Sequence, residues 1–295
     1  MIGFFLKEAG VSFEIWEKET FPGGVLRTKH GQYGRAEMGA NGILWCPEMD
    51  YLCEKLALEP LQANLVEKKR FLVRKGKLRQ FPLGPLETLA MIGRLLVPHS
   101  GEYRTVSEFG KAYLGDAANA QILSPALSGI YGTSADLLSF HGAAKMVAKI
   151  LDHSRWLPLG ILKSRKANKS TPPKRKGLHS FHGGMETLVK SLSAHLADHI
   201  KYGKDTLPID PNQSTIITTP SHITHRLIPN TAASKMLQRI VYQGIVCANL
   251  MFNKSQFQNF KKGFGCLIPR DEGIKSLGIL FTSIIYPERV YDPNH

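Results

Sequence analysis

The sequence predicts a mixed α/β (α+β) architecture, and three stretches carry that prediction. Val11–Trp16 alternates Val, Phe and Ile with Ser, Glu and Trp, the period of a short strand, and runs into an acid, Glu17. His182–Ile200, "HGGMETLVKSLSAHLADHI", places Met185, Leu188, Val189, Leu192, Leu196 and Ile200 on one helical face after a Gly-Gly turn. Ser214–Pro220, "STIITTP", is an apolar run ended by proline, as in a strand buried on both faces. From these we expect Val11–Trp16 and Thr215–Thr219 to lie side by side in one parallel sheet.

The elements follow in order. "MIGFFLKEAG" has the pattern of the last turns of an amphipathic helix, with Ile2, Phe5 and Leu6 on one face and Gly10 just past its end. "VSFEIWEKETFPGGVLRT" then gives strand, acid, Pro-Gly-Gly turn and arginine. This matches the second half of a dinucleotide-binding unit, in which the carboxylate ending the second strand accepts hydrogen bonds from ribose hydroxyls. Gly23 and Gly24 lack a Cβ and let backbone approach a ligand, and the Arg27 fork suits a diphosphate. A plain strand, a turn and a surface arginine fit the same residues. The first half of such a unit, a strand and Gly-x-Gly-x-x-Gly with its cradle of helix N-terminal N–H groups, has no counterpart in these residues.

Further along, "EMGANGIL" (Glu37–Leu44) concentrates small residues where a flat ligand could pass. "YLCEKLALEP" predicts a short helix ending near Pro60, and "RFLVRKGKLRQFPLGP" a hairpin around Lys75-Gly76. Leu86 to about Leu151 is helix-rich, with Thr105 or Ser107 as an N-cap and Glu108 in the first turn. "GFGCLIPRDEG" and "SLGILFTSIIYP" predict two more strands.

A hydrophobic content of 43% and 21% charged residues match a folded globular chain of one or two domains. No apolar run is long enough for a transmembrane helix, and Glu8 and Glu14 interrupt any signal-like segment. The four cysteines, Cys46, Cys53, Cys247 and Cys266, form no CxxC pair and suit free thiols in a reducing compartment. The net charge of +14 is concentrated in Lys163–Gly177, "KSRKANKSTPPKRKG". Such a run suits a solvated loop or an anionic membrane surface. Nucleic acid is not expected as a partner, because no aromatics interleave with the basic residues. His195 and His199 stand at i and i+4 without a third ligand, so no metal site is expected, and no Gly-x-Ser-x-Gly elbow supports a hydrolase.

Several segments together resemble the oxygen-dependent protoporphyrinogen oxidases of the FAD-containing amine-oxidase group. They are "WEKETFPGGVLRT", "EMGANGIL", "GKLRQFPLGP", "VSEFGKAYLGDAANAQILSPALSGIYGTSADLLS", "SFHGGMETLVKSL", "IITTPSH" and "GFGCLIPRDEGIKSLGILFTSIIYPERV". Their order and the length of the central piece make the match specific and set it apart from carotenoid desaturase relatives. The resemblance implies a Rossmann-like FAD domain, here incomplete and discontinuous (1–45 and 178–230), a substrate domain (46–85 and 231–295) and an inserted helical, membrane-facing subdomain (86–177). It implies oxidation of protoporphyrinogen IX to protoporphyrin IX by O2 in haem biosynthesis, a cytoplasmic location peripheral on the cytoplasmic membrane, and a homodimer as one assembly. Glu17 matches the ribose-binding acid, Gly23, Gly24 and Arg27 the diphosphate turn, and Gly39, Ala40 and Asn41 the segment along the flavin. No catalytic side chain is implied, because the cofactor carries the chemistry. The sequence departs from the family at the glycine-rich start, in a short Lys204–Ser214 stretch, in the C-terminal flavin contacts, and at Leu44, near the place of a substrate-binding arginine. A chain truncated at both ends and shortened internally, unable to hold FAD, is the alternative expectation.

Overall fold

The computed structural model describes residues 1–64, 69–167, 174–204, 209–210, 212–257 and 259–292, apart from the side chains of 165–167. The chain forms two compact units, the first made of Met1–Ala63, Pro173–Tyr242 and Val246–Met251, the second of Asn64–Pro172, Gln243–Ile245 and Phe252–His295.

In the first unit, helix α1 (Ile2–Glu8) ends where Gly10 takes a φ of +67°, a left-handed turn that glycine adopts without strain. Phe4 is its fully buried ring, whereas Ile2 and Phe5 are exposed, so the expected Ile2–Phe5–Leu6 face is not the one that packs. The reason is Gly3: a Cβ there would sit 2.7 Å from Ile15 Cδ1, so the glycine side lies against the strand and Phe4 turns inward beside it. Strand β1 (Ile15–Glu17) pairs in parallel with β9 (Ile200–Tyr202), Glu17 opposite Tyr202. Helix α10 (Glu186–His195) stops short of Ile200, which a 3₁₀ turn at Ala197–His199 delivers into β9 instead.

The expected pairing of Val11–Trp16 with Thr215–Thr219 does not occur. Residues 215–219 belong to no strand, and Ile216 is 61% exposed. In a Rossmann sheet the second and fourth strands flank the first on opposite sides. Among the described residues nothing occupies that place, so an apolar run suited to a sheet interior has no ladder to join.

The rest of this unit is antiparallel. Strands β2 (Thr28–His30) and β3 (Arg35–Glu37) form a hairpin, and β8 (Leu178–Phe181) is flanked by β4 (Ile43–Leu44) and β5 (Pro60–Gln62). Helix α2 (Pro47–Lys55) begins on a proline and ends well before Pro60, because the Leu58 N–H turns back to the Cys53 carbonyl at 2.9 Å. Phe4, Trp45, Met49, Leu52, Cys53, Phe181, Met185 and Leu188 make the core. Helices α11 (Ser221–Leu227) and α12 (Ala232–Leu237) complete the unit. The basic run matches the exposed loop expected of it at residues 174–177, which are exposed and outside any helix or strand, and differs at its start. Lys163–Ala167 is helical, and 168–173 lie outside the described residues. The Lys174 backbone N–H donates to Asp50 at 2.7 Å, while Arg175 and Lys174 pair with Asp50 and Glu54 on α2 at 3.3 and 3.2 Å.

In the second unit, β6 (Arg70–Arg74) and β7 (Lys77–Arg79) form the expected hairpin, with Lys75 and Gly76 both at positive φ as a tight two-residue turn requires. Strand β10 (Gly265–Leu267) joins β6 in parallel and β11 (Gly278–Leu280) antiparallel, over a core of Phe71, Val73, Cys266 and Ile268. The predicted helical stretch contains α3 (Pro85–Leu95), α4 (Val106–Leu114), α5 (Asp116–Ala118), α6 (Ser124–Tyr131), α7 (Phe140–Ala143) and α8 (Lys145–His153), and helix continues past its expected end in α9 (Leu157–Ala167); the short α13 (Thr282–Ile285) follows β11, where the sequence predicts continued strand. Of the two N-cap candidates, Thr105 and Ser107, it is Thr105 that caps α4, reciprocally with Glu108. Tyr103, Phe109, Tyr113 and Phe140 form its aromatic core, Phe109 stacked on Phe140 with centroids 5.1 Å apart and Tyr103 edge-on to both. All four cysteines are free thiols.

The helical layer is pinned to the β6–β7 hairpin by one ion pair. Arg74 donates from both guanidinium ends to Glu87 on α3 at 2.8 and 2.9 Å, and Glu87 also accepts from the Gly84 N–H at 2.6 Å. Arg74, and then the Gly84 amide, hold the Glu87 carboxyl down to about 2 from its usual 4.5. A depressed acid stabilises the fold above its unfolded value and loses that contribution as pH falls through the folded one. The second unit therefore loosens between about pH 4.5 and 2, and Glu87→Gln lowers the urea midpoint at pH 7 while flattening its dependence across that window. A variant keeping the wild-type pH slope would show that the pair contributes nothing.

Candidate functional site

The candidate cofactor residues sit in the first unit. Glu17, the last residue of β1, is half-buried; one carboxylate oxygen accepts from the Glu19 N–H at 3.0 Å and its carbonyl from the Lys204 N–H at 3.1 Å. Downstream, Gly23 and Gly24 both take positive φ, +97° and +56°. Their free space is used differently. A Cβ on Gly23 would lie 2.6 Å from Val189 on α10, whereas none within 4 Å would meet one on Gly24. Gly24 is thus the residue that leaves backbone open to a ligand. Arg27 is exposed, its guanidinium 4.3 Å above the Phe21 ring, a stacking that aims the fork without consuming its N–H donors.

The turn and the segment around Gly39 meet. The Met38 N–H donates to the Arg27 carbonyl at 2.9 Å, and a Cβ on Gly39 would lie 2.6 Å from the Val25 carbonyl oxygen. Gly23, Gly24 and Arg27 are thereby joined to Gly39, Ala40 and Asn41, with Ala40 exposed and Asn41 half-buried, while Glu17 stays at the end of the parallel pair. These residues suit the ribose and diphosphate of a dinucleotide: an acid, an open glycine backbone and a presented guanidinium. His199 has a packing role, Nδ1 at 3.0 Å from the Phe13 carbonyl and its ring stacked on Phe13. No cluster of His, Cys, Asp and Glu suited to a metal exists among the described residues.

Sequence reasoning missed what holds this surface in place. Glu37, 2% exposed, accepts from the Thr28 hydroxyl at 2.9 Å and from the Met185 N–H at 3.0 Å, and Thr28 Oγ1 accepts from the Glu186 N–H at 3.2 Å. The carboxylate and hydroxyl thus satisfy amides at the start of α10, where negative charge is favoured. Gly184, at φ +102°, passes so close that a Cβ would sit 2.4 Å from Thr28 Oγ1 and 2.8 Å from Glu37 Oε1. The available signal was a strand ending in an acid together with a Gly-Gly pair immediately before a helix.

Glu37→Ala strands the Thr28 hydroxyl and Met185 N–H and costs about 3 kcal/mol, since hydrogen bonds to a charge carry about 1.5–3 kcal/mol. Gly184→Ala costs about 2 kcal/mol or more through clash and left-handed strain. Urea unfolding checks both, and a loss below about 1 kcal/mol for Glu37→Ala would remove the clamp from its central role.

The chain resembles several known proteins. Protoporphyrinogen oxidase 1, chloroplastic, of Arabidopsis thaliana is 24% identical over 75% of this chain and 51% of its own. Protoporphyrinogen oxidase 2, chloroplastic/mitochondrial, of the same plant is 25% identical over 96% of this chain and 69% of its own. The chain thus spans about half to two thirds of these relatives. A crystal structure from Exiguobacterium sp. 255-15, assigned to the protoporphyrinogen oxidases, superposes with a TM-score of 0.74 at 17% identity, covering 98% of this chain and 72% of that one, and shares the fold. The profile of the flavin containing amine oxidoreductases matches residues 5–294, and the chain belongs to that family.

Proposed function

We propose that this chain carries the frame of an FAD-dependent oxidase that converts protoporphyrinogen IX to protoporphyrin IX with O2 as electron acceptor. The junction of the Gly23–Arg27 turn with Gly39–Asn41, behind the acid-ended β1, carries the reading. Glu17 holds the ribose, Gly24 and Arg27 meet the diphosphate, and Gly39, Ala40 and Asn41 run along the flavin. FAD, when bound, supplies the hydride acceptor. The residues position two flat rings and provide no nucleophile.

One observation favours a second reading for the 295 residues on their own: among the described residues β1 has a strand on one side only, and the sequence holds no Gly-x-Gly-x-x-Gly loop to accompany it. Two charge-assisted contacts of about 1.5–3 kcal/mol each do not offset an immobilisation cost of roughly 4 kcal/mol or more together with the desolvation of two phosphates. The purified chain is expected to be colourless or far below stoichiometric in flavin. A version extended by the first strand, glycine-rich loop and C-terminal segment of a full-length relative should be yellow and produce fluorescent protoporphyrin. Arg27→Ala in that version should weaken FAD binding about tenfold, the loss of roughly one such contact. A yellow one-to-one protein from the chain alone would overturn the second reading. A yellow extended version that leaves protoporphyrinogen untouched would overturn the first.

The same proposal places α3 on an anionic membrane surface. No helix among the described residues is long and apolar enough to cross a membrane. Along α3 and its end, however, Leu86 is 83% and Leu89 67% exposed, with Ile92, Leu96 and Val97 also open. That spacing is a helical stripe suited to lying in a lipid interface. Co-sedimentation with vesicles of anionic lipid should fall at least fivefold for Leu89→Asp/Ile92→Asp and drop with salt, since screening acts within about 10 Å at 0.1 M. Binding unchanged in the double variant would remove α3 from the interface. Light scattering of the same preparations reads the proposed homodimer.

A further inference from the structure

The proposed function leaves one stretch that follows α12 unused. Residues 240–253 form neither helix, strand, turn nor bend. Among the described residues, no main-chain N–H or carbonyl of 241–252 bonds to another main-chain group. The side chains that belong to the first unit here are open as well. Val246 is 96% and Val241 79% exposed, and Ile240, Tyr242, Leu250 and Met251 are exposed too. β-branched and large apolar residues ordinarily gain a ladder and a core, and these have neither.

The run also lacks what keeps bare strands apart. An open edge is guarded by lysine, proline or an inward charge. This chain holds 38 lysines and arginines, yet none of them, and no acid or proline, falls in 240–252. Two copies at +14 repel each other, and a stretch free of charge is where they can meet without like charges opposite. The run is held at two points of the first unit. The Tyr242 hydroxyl accepts from the Ser221 N–H at 2.8 Å, and Asn249 Nδ2 donates to the Glu37 carbonyl at 3.5 Å. It therefore presents one edge, and an edge that pairs with itself closes at two copies. Six large apolar residues of roughly 150–250 Å² each, from two fifths to almost fully exposed, offer on the order of 800 Å² per copy, the share that each partner gives to a standard stable interface.

We propose that this run, centred on Val246–Met251, pairs antiparallel with the same run of a second copy across a two-fold axis, each backbone completing the other's hydrogen bonds. The pairing gives the proposed homodimer a surface and rests on neither flavin nor the oxidase reaction. Sedimentation velocity on the chain as it stands, under reductant and without detergent, should show a monomer–dimer equilibrium, and infrared spectra should gain strand signal as the dimer forms. Val246→Lys/Leu250→Lys should weaken the dimer at least about tenfold. Both side chains already face water, and circular dichroism at low concentration checks that the variant is folded. Val246→Pro, which removes one strand donor and adds no charge, should weaken it as well. Leu137→Lys/Met146→Lys, the same change of charge at two other exposed apolar positions, should leave the dimer within about twofold. Bismaleimidohexane should bridge the exposed Cys247 of two copies, and the bridge should fall at least about fivefold in the Val246/Leu250 variant. A chain monomeric at every concentration, growth past the dimer, a dimer without strand gain, or a bridge undiminished in that variant would overturn the proposal. So would equal loss in the Leu137/Met146 variant. A dimer indifferent to Val246 and Leu250 would overturn this surface while leaving the homodimer itself standing.

Discussion

Glu37 is the residue on which the candidate cofactor surface depends. It is a carboxylate buried at 2% exposure, and burying an ionised acid is costly unless every lone pair is engaged. Here it is met by a hydroxyl from β2 and a backbone amide at the start of α10, and Thr28 passes the bond on to Glu186. The hairpin β2–β3 and the helix therefore cannot separate without stranding a charge. Because Arg27 precedes Thr28 and Met38 follows Glu37, the same clamp sets the distance between the Gly23–Arg27 turn and Gly39. The two glycine-rich segments are held together by an acid that is itself buried.

The parallel pair β1–β9 shows the opposite condition. Its register is set by α1 and α10, which pack on one side, with Gly3 close against Ile15 and Lys7 donating to the His195 carbonyl at 2.6 Å. Its other edge has no strand among the described residues. A β-prone apolar segment such as 215–219 gains burial only when neighbours on both sides complete its hydrogen bonds. Without them it forms no strand and Ile216 stays open to water. The same chain thus holds a well-clamped glycine surface next to a sheet that is only two strands wide.

Electrostatics divides along similar lines. The chain has few acids, and several are spent inward on structure: Asp50 on Trp45, Lys174 and Arg175, Glu87 on Arg74, Glu272 on the β6–β7 turn. Using carboxylates this way leaves cations over. Part of the +14 excess is tied to helix α2 through Lys174 and Arg175.

The sequence by itself determined the elements whose signals are local. The Lys75-Gly76 hairpin, the Thr105–Glu108 cap, the helix opening after Gly184 and the acid-ended β1 all follow from turn chemistry, capping and periodicity within a few residues. It also placed Glu17, Gly23, Gly24, Arg27, Gly39, Ala40 and Asn41 as candidates, since acid, glycine pair and arginine stand in a recognisable order. Tertiary structure alone decided which of those glycines is left open. Gly23 and Gly39 are spent on packing against Val189 and Val25, and Gly24 is open. It decided that Phe4, not Phe5, is buried, and that β1 pairs with 200–202 and leaves 215–219 unpaired. It also assigned Glu37 its role. The physical reason is common to all of these: propensity and spacing act within one segment, whereas burial, strand partners and the satisfaction of a buried charge depend on residues in other segments, some of them more than a hundred positions away.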